Sequence, residues 1–152
     1  MTASHDELTV HLVRALPAPP PLIFRMHTDP DELARWFGPK GFSAAIVAFD
    51  LRVGGTYRIE MQPPEGDRFL LVWEFRRIDP FTHLTFTFRY EDPDPDDQDT
   101  LVALSFVDRG DATELTVDQG PFLTEARSDL HARGWSESVD RLYNLAANRR
   151  PR

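Results

Sequence analysis

The stretch His131-Ala-Arg-Gly-Trp-Ser-Glu-Ser-Val-Asp-Arg-Leu-Tyr-Asn-Leu-Ala146 decides how this chain folds. His131, Trp135, Val139, Leu142 and Ala146 recur at intervals of four, four, three and four residues, so they form one stripe on one long helix. Such a helix needs an apolar surface to lie on, and the residues before it supply one. From Phe42 to Gln119 the apolar side chains alternate with period two. Tyr57, Ile59 and Met61 share a face; Phe69, Leu71, Trp73 and Phe75 repeat it; Leu84, Phe86 and Phe88 repeat it again. Thr100–Val107 and Glu114–Gln119 read as the last two strands. Turn residues at Gly54-Gly55, Pro63–Gly66, Asp79-Pro80 and Asp108–Asp111 keep the connections short, which makes the run antiparallel. The paired glycines read as hairpin residues with positive φ. Gly134, inside the helix, costs about 1 kcal/mol relative to alanine, so a close approach to the sheet or a kink is expected there.

Toward the N-terminus, Leu8–Leu16 reads as a first strand, ended by the proline run 17–21. Leu22–His27 has the spacing of a short amphipathic helix. Asp29-Pro30-Asp31-Glu32 opens a second one, with Asp29 as N-cap, Pro30 at the first helical position and Glu32 completing a capping box; it stops near Phe37, before Gly38-Pro39. In this segmentation all thirteen prolines fall outside strand and helix interiors. The order is strand, two short helices, six strands, one long helix: an α+β chain whose antiparallel sheet is covered by its last helix.

At 152 residues this is a single domain, 1–152, with 1–7 and 148–152 expected to be flexible. Its 41% hydrophobic and 28% charged residues are those of a globular protein. The net charge of −8 argues against nucleic-acid and anionic-membrane binding. Six acids lie in Glu91–Asp99, a segment expected to be a mobile, solvated loop. The absence of cysteine excludes disulfides, thiolate catalysis and cysteine-ligated metals. No apolar run reaches the length of a membrane span and Met1–Glu7 has no signal-peptide pattern, so a cytoplasmic location is expected.

Five blocks in a fixed order also resemble a known family. They are Ala18-Pro19-Pro20-Pro21-Leu22-Ile23-Phe24; Thr28-Asp29-Pro30-Asp31-Glu32-Leu33-Ala34-Arg35-Trp36-Phe37-Gly38-Pro39; Asp50-Leu51-Arg52-Val53-Gly54-Gly55-Thr56-Tyr57; Ile78-Asp79-Pro80 with Leu84 and Thr87; and His131-Ala132-Arg133-Gly134-Trp135 followed by Val139-Asp140-Arg141-Leu142. The chain resembles the branch of the START-like (Bet v 1-like, SRPBCC) superfamily related to the C-terminal domain of the activator of Hsp90 ATPase. That resemblance implies a helix-grip fold: a curved antiparallel sheet of six to seven strands wrapped around the long C-terminal helix, with a cavity between them. Trp73 stands where relatives often carry glycine, and Arg77 where they carry an acid; a tryptophan there narrows the cavity.

The chain holds no dinucleotide, Walker, zinc-protease or serine-hydrolase motif, and its histidines at 5, 11, 27, 83 and 131 show no metal-ligand spacing. No catalytic residue, metal or cofactor is therefore assigned. His131 lies one turn before Trp135 on the inward stripe, either as a polar or acid–base group of the cavity or as a structural histidine. His27 reads as a surface or gate residue. Trp36, Phe37, Phe42, Tyr57, Ile59, Met61, Trp73, Phe75, Phe86, Phe88, His131, Trp135, Val139 and Leu142 are the cavity candidates, each with ordinary core as the alternative. The expected function is non-enzymatic binding of a small apolar or aromatic ligand. The rivals are an enzyme of the polyketide cyclase/aromatase or hydrolase type and a co-chaperone-like interaction module. A homodimer is left open.

Overall fold

The computed structural model describes residues 8–149; the ends 1–7 and 150–152, part of the segments expected to be flexible, lie outside the described residues. The described residues form seven strands: β1 (Leu8–Leu16), β2 (Ser43–Phe49), β3 (Thr56–Gln62), β4 (Phe69–Asp79), β5 (His83–Tyr90), β6 (Thr100–Asp108) and β7 (Thr113–Phe122). They form one curved antiparallel sheet in the order β1-β7-β6-β5-β4-β3-β2. The helices are α1 (Pro20–Thr28), α2 (Pro30–Trp36) and α3 (Glu125–Ala147). The α1–α2 pair connects the two edge strands, and α3 lies on the concave face.

The period-two phases set the register. Tyr57 stands opposite Trp73, Ile59 opposite Leu71, Trp73 opposite Phe88 and Phe75 opposite Phe86. Each of these side chains is buried. On α3, Trp135, Val139, Leu142 and Ala146 are buried and Arg133 and Asn144 exposed, as the helical stripe requires. Glu137 is only half-buried, because its carboxylate accepts from the Lys40 backbone N–H at 3.1 Å.

Four local expectations need correction. Pro121 lies inside β7, not outside a strand. The β1–β7 register shifts between Leu8 and Val10, so no neighbour requires an N–H at Pro121. Of the paired glycines only Gly54 has positive φ, at 85°. Gly55 lacks a side chain for another reason: a Cβ there would lie 2.2 Å from the Asp50 carbonyl oxygen. The capping box is half made. Asp29 accepts from the N–H groups of Asp31 and Glu32 at 2.9 and 3.3 Å, but its own N–H closes α1 on Arg25 O at 2.8 Å. Glu32 therefore turns to Arg149, 2.7 Å away. Finally, His27 is buried: Nδ1–H donates to Ile23 O at 2.8 Å, and the ring packs edge-on to Trp36 and Phe106.

Candidate functional site

The concave face is not filled along its whole length. A cavity of about 120 Å³ remains between the N-terminal half of α3 and the ends of β3, β4 and β5. β3 contributes Met61, β4 contributes Phe69 and Leu71, and β5 contributes Phe88 and Tyr90. Leu130, His131, Gly134, Trp135 and Ser138 face it from α3. Phe37, Gly38, Pro39 and Phe42 close one side from the loop between α2 and β2.

Six of the sequence-derived candidates meet at this wall: Phe37, Phe42, Met61, Phe88, His131 and Trp135. Trp36, Tyr57, Ile59, Trp73, Phe75, Phe86, Val139 and Leu142 are buried away from it. Trp73 shows why. Its ring stacks on Phe86 with centroids 4.1 Å apart and lies parallel to Tyr57 at 6.3 Å. Phe37 meets its edge at 5.1 Å. The large rings thus fill one another's gaps in the middle of the sheet, and the open volume is left at one end. Trp36 anchors the loop instead, donating its indole N–H to Met26 O at 2.8 Å. The Tyr57 hydroxyl donates to Thr28 O, and burial pushes its pKa up to about 12.

Sequence reading missed Tyr90 and Gln119, which together with His131 make the polar part of the site. Both carried a signal. Tyr90 continues the Leu84-Phe86-Phe88 phase, and Gln119 is a lone amide in phase with Leu115 and Val117. The indole N–H of Trp135 can only donate, and it does so to Gln119 Oε1 at 2.7 Å. This fixes the amide, whose Nε2 donates to Thr100 Oγ1 at 2.9 Å. His131 Nδ1, 3.2 Å from the same Oε1, must then carry the proton. Its Nε2 is left bare and accepts from the Tyr90 hydroxyl at 2.8 Å. Burial, aided by the Arg127 charge, holds the His131 pKa down to about 4, so the imidazole is neutral at physiological pH. Burial likewise pushes the Tyr90 phenol well above its ordinary range.

The loop wall is held by α3 side chains. Gly38 N–H donates to Ser138 Oγ at 3.1 Å, and Arg141 donates to the Gly38 and Pro39 carbonyls at 2.9 and 3.2 Å. Gly38 has φ 116°, a backbone conformation that residues with a Cβ rarely adopt, so glycine is favoured where the loop passes Met61. Gly134 faces this loop rather than the sheet; a Cβ there would meet only Pro39 Cγ, at 3.6 Å. Gly134→Ala is therefore expected to raise stability by up to about 1 kcal/mol, read as an increase in the denaturation midpoint. A decrease would mean that the helix needs glycine for its path.

Behind Tyr90 and His131 a recess of about 10 Å³ is bordered by Asp96, Asp97 and Arg127. Arg127 bonds Asp94, Asp96 and Asp97 at 2.6, 3.3 and 3.1 Å. The acidic segment is thus joined to the start of α3 through one guanidinium. Asp97 is 8% exposed at its side chain and Asp94 70%, which separates their roles. Arg127→Ala should cost about 1.5–3 kcal/mol by leaving Asp97 buried without its cation. Asp94→Asn should cost under about 0.5 kcal/mol. Urea unfolding of both variants checks this; equal small losses would make the cluster a purely solvated one.

The family model described as Activator of Hsp90 ATPase homolog 1-like protein matches residues 17–147. None of the curated proteins matches. Among solved structures, protein CV1439 of Chromobacterium violaceum is 26% identical with a TM-score of 0.85, over 91% of this chain and 96% of that one. The AHSA1 protein of Silicibacter pomeroyi is 23% identical with a TM-score of 0.80, over 93% and 99%. DynU16, a protein in the dynemicin biosynthetic locus, is 24% identical with a TM-score of 0.76, over 95% of this chain and 49% of that one. The last two likenesses are of fold.

Proposed function

This chain belongs to the Activator of Hsp90 ATPase homolog 1-like family, and from that premise we propose that it binds a small, uncharged, hydrophobic or aromatic molecule between α3 and the sheet. The observation that carries this reading is a cavity of about 120 Å³ whose wall is mostly aromatic and aliphatic and whose titratable groups, His131 and Tyr90, are both neutral. An apolar ligand entering it gains about 25 cal/mol for each Å² removed from water, with no buried charge to desolvate. The volume suits one enclosed six-membered ring, with further atoms toward the mouth.

An enzymatic use of the same cavity is the second reading, prompted by the likeness of fold to DynU16 from a biosynthetic locus. It is disfavoured by His131, whose two ring nitrogens are both engaged and whose pKa of about 4 makes it a weak base.

Naphthalene, titrated while tryptophan emission is followed, tests the binding reading because Trp135 stands on the wall. Wild-type protein should bind it, and Gly134→Leu, which inserts a side chain from the helix without removing one from the core, should bind at least tenfold more weakly. Equal binding by the two proteins would place the ligand elsewhere, and no binding by wild type would end the proposal.

A further inference from the structure

The hydrogen atoms of the polar chain are all engaged within the chain, and this determines what a ligand can offer. Trp135 N–H and His131 Nδ1–H are spent on Gln119 Oε1, and the Tyr90 O–H on His131 Nε2. Tyr90 keeps only oxygen lone pairs, so the His131 end of the cavity accepts hydrogen bonds and donates none. At the other end Ser138 has the opposite character. Its Oγ accepts the Gly38 N–H at 3.1 Å, while its own hydroxyl hydrogen has no acceptor among the described residues. Ser138 lies seven positions beyond His131 on α3, about 10 Å along the helix axis. Among the described residues no cation stands in the cavity lining: Arg127 is engaged by three carboxylates, and Arg141 holds the Gly38 and Pro39 carbonyls from outside that lining.

We infer that the cavity selects neutral aromatic molecules with a hydroxyl at the end lying against Tyr90 and a hydrogen-bond acceptor at the end lying against Ser138, and that it rejects carboxylates. This rests on the binding function proposed above and adds polarity and direction to it. Anions are disfavoured twice, by lone pairs inside the cavity and by Asp94, Asp96 and Asp97 behind Tyr90.

The test is a ligand series on one ring system: naphthalene, 2-naphthol, 6-methoxy-2-naphthol and 2-naphthoate, measured by calorimetry or tryptophan emission at pH 7.5. Each satisfied hydrogen bond should tighten binding about three- to tenfold, so 6-methoxy-2-naphthol exceeds 2-naphthol, which exceeds naphthalene, and 2-naphthoate is weakest. Ser138→Ala should erase only the methoxy gain. The double variant Tyr90→Phe with His131→Leu should erase only the hydroxyl gain. Naphthalene and 2-naphthol binding equally to the wild type would overturn the inference while leaving the binding function intact; a protein that binds none of the four, naphthalene included, loses both. The series on wild type needs no variant to fold. Nitrogen-15 resonances of His131 give an independent reading: a proton on Nδ1 supports the assignment, and a proton on Nε2 overturns it.

Discussion

Trp73→Ala is expected to cost about 3–5 kcal/mol, the range for a fully buried large aromatic side chain cut back in a core that cannot collapse around the gap. Trp73 is 1% exposed and sits between the rings of Tyr57 and Phe86, with Phe37 against its edge. Its indole N–H has no hydrogen-bond partner, so the substitution relieves one unsatisfied donor, a small offset against lost packing. Phe37 borders both Trp73 and the cavity, so removing the indole should join the new void to the existing space. Ligands larger than two fused rings should then bind the variant more tightly than the wild type, although the variant is less stable. Chemical denaturation and ligand titration on the same preparation check both parts. A loss under about 1 kcal/mol, or unchanged selection for ligand size, would mean that the core closes over the gap.

Acid should destabilise this protein well above the pH at which carboxylates usually protonate. Burial holds His27 and His131 down to about 4 in the folded chain, against 6.5 when exposed. Between those values the unfolded chain binds more protons than the folded one, so stability falls as pH falls. It is fully present above about pH 6.5 and lost progressively toward pH 4, by about 3 kcal/mol for each histidine. Glu32, held below the usual carboxylate range by its hydrogen bond from Arg149, has the same sign but acts lower, below its ordinary pKa of 4.5. The melting temperature should therefore drop steeply between pH 7 and pH 4.5. His27→Gln should remove roughly half of that drop, whatever it does to stability at neutral pH. A flat profile from pH 7 to pH 5 would show that both rings are accessible to water and titrate normally.

The alternation from Phe42 to Gln119 and the stripe from His131 to Ala146 were enough to specify an antiparallel sheet covered by the last helix, because which face of a strand or helix is apolar is a local property of the chain. The Asp29 cap was legible for the same reason: donor and acceptor lie within three residues. Burial of a side chain could be read this way, but not whether it fills space or borders it. Tyr57, Trp73 and Phe86 follow the same alternation as Met61 and Phe88, yet the first three pack ring on ring and the last two face a cavity. That difference depends on register across three strands and on where the 37–42 loop crosses. The same holds for His131. Its position on the inward stripe was evident, whereas its bare Nε2 follows from Trp135 on the same helix together with Gln119 and Tyr90, brought in from two strands up to 41 residues away. Arg127 among its three aspartates, 30 or more residues distant, is decided likewise. Periodicity fixes faces; the distances that turn a buried residue into a polar station or a wall exist only once the sheet has closed on the helix.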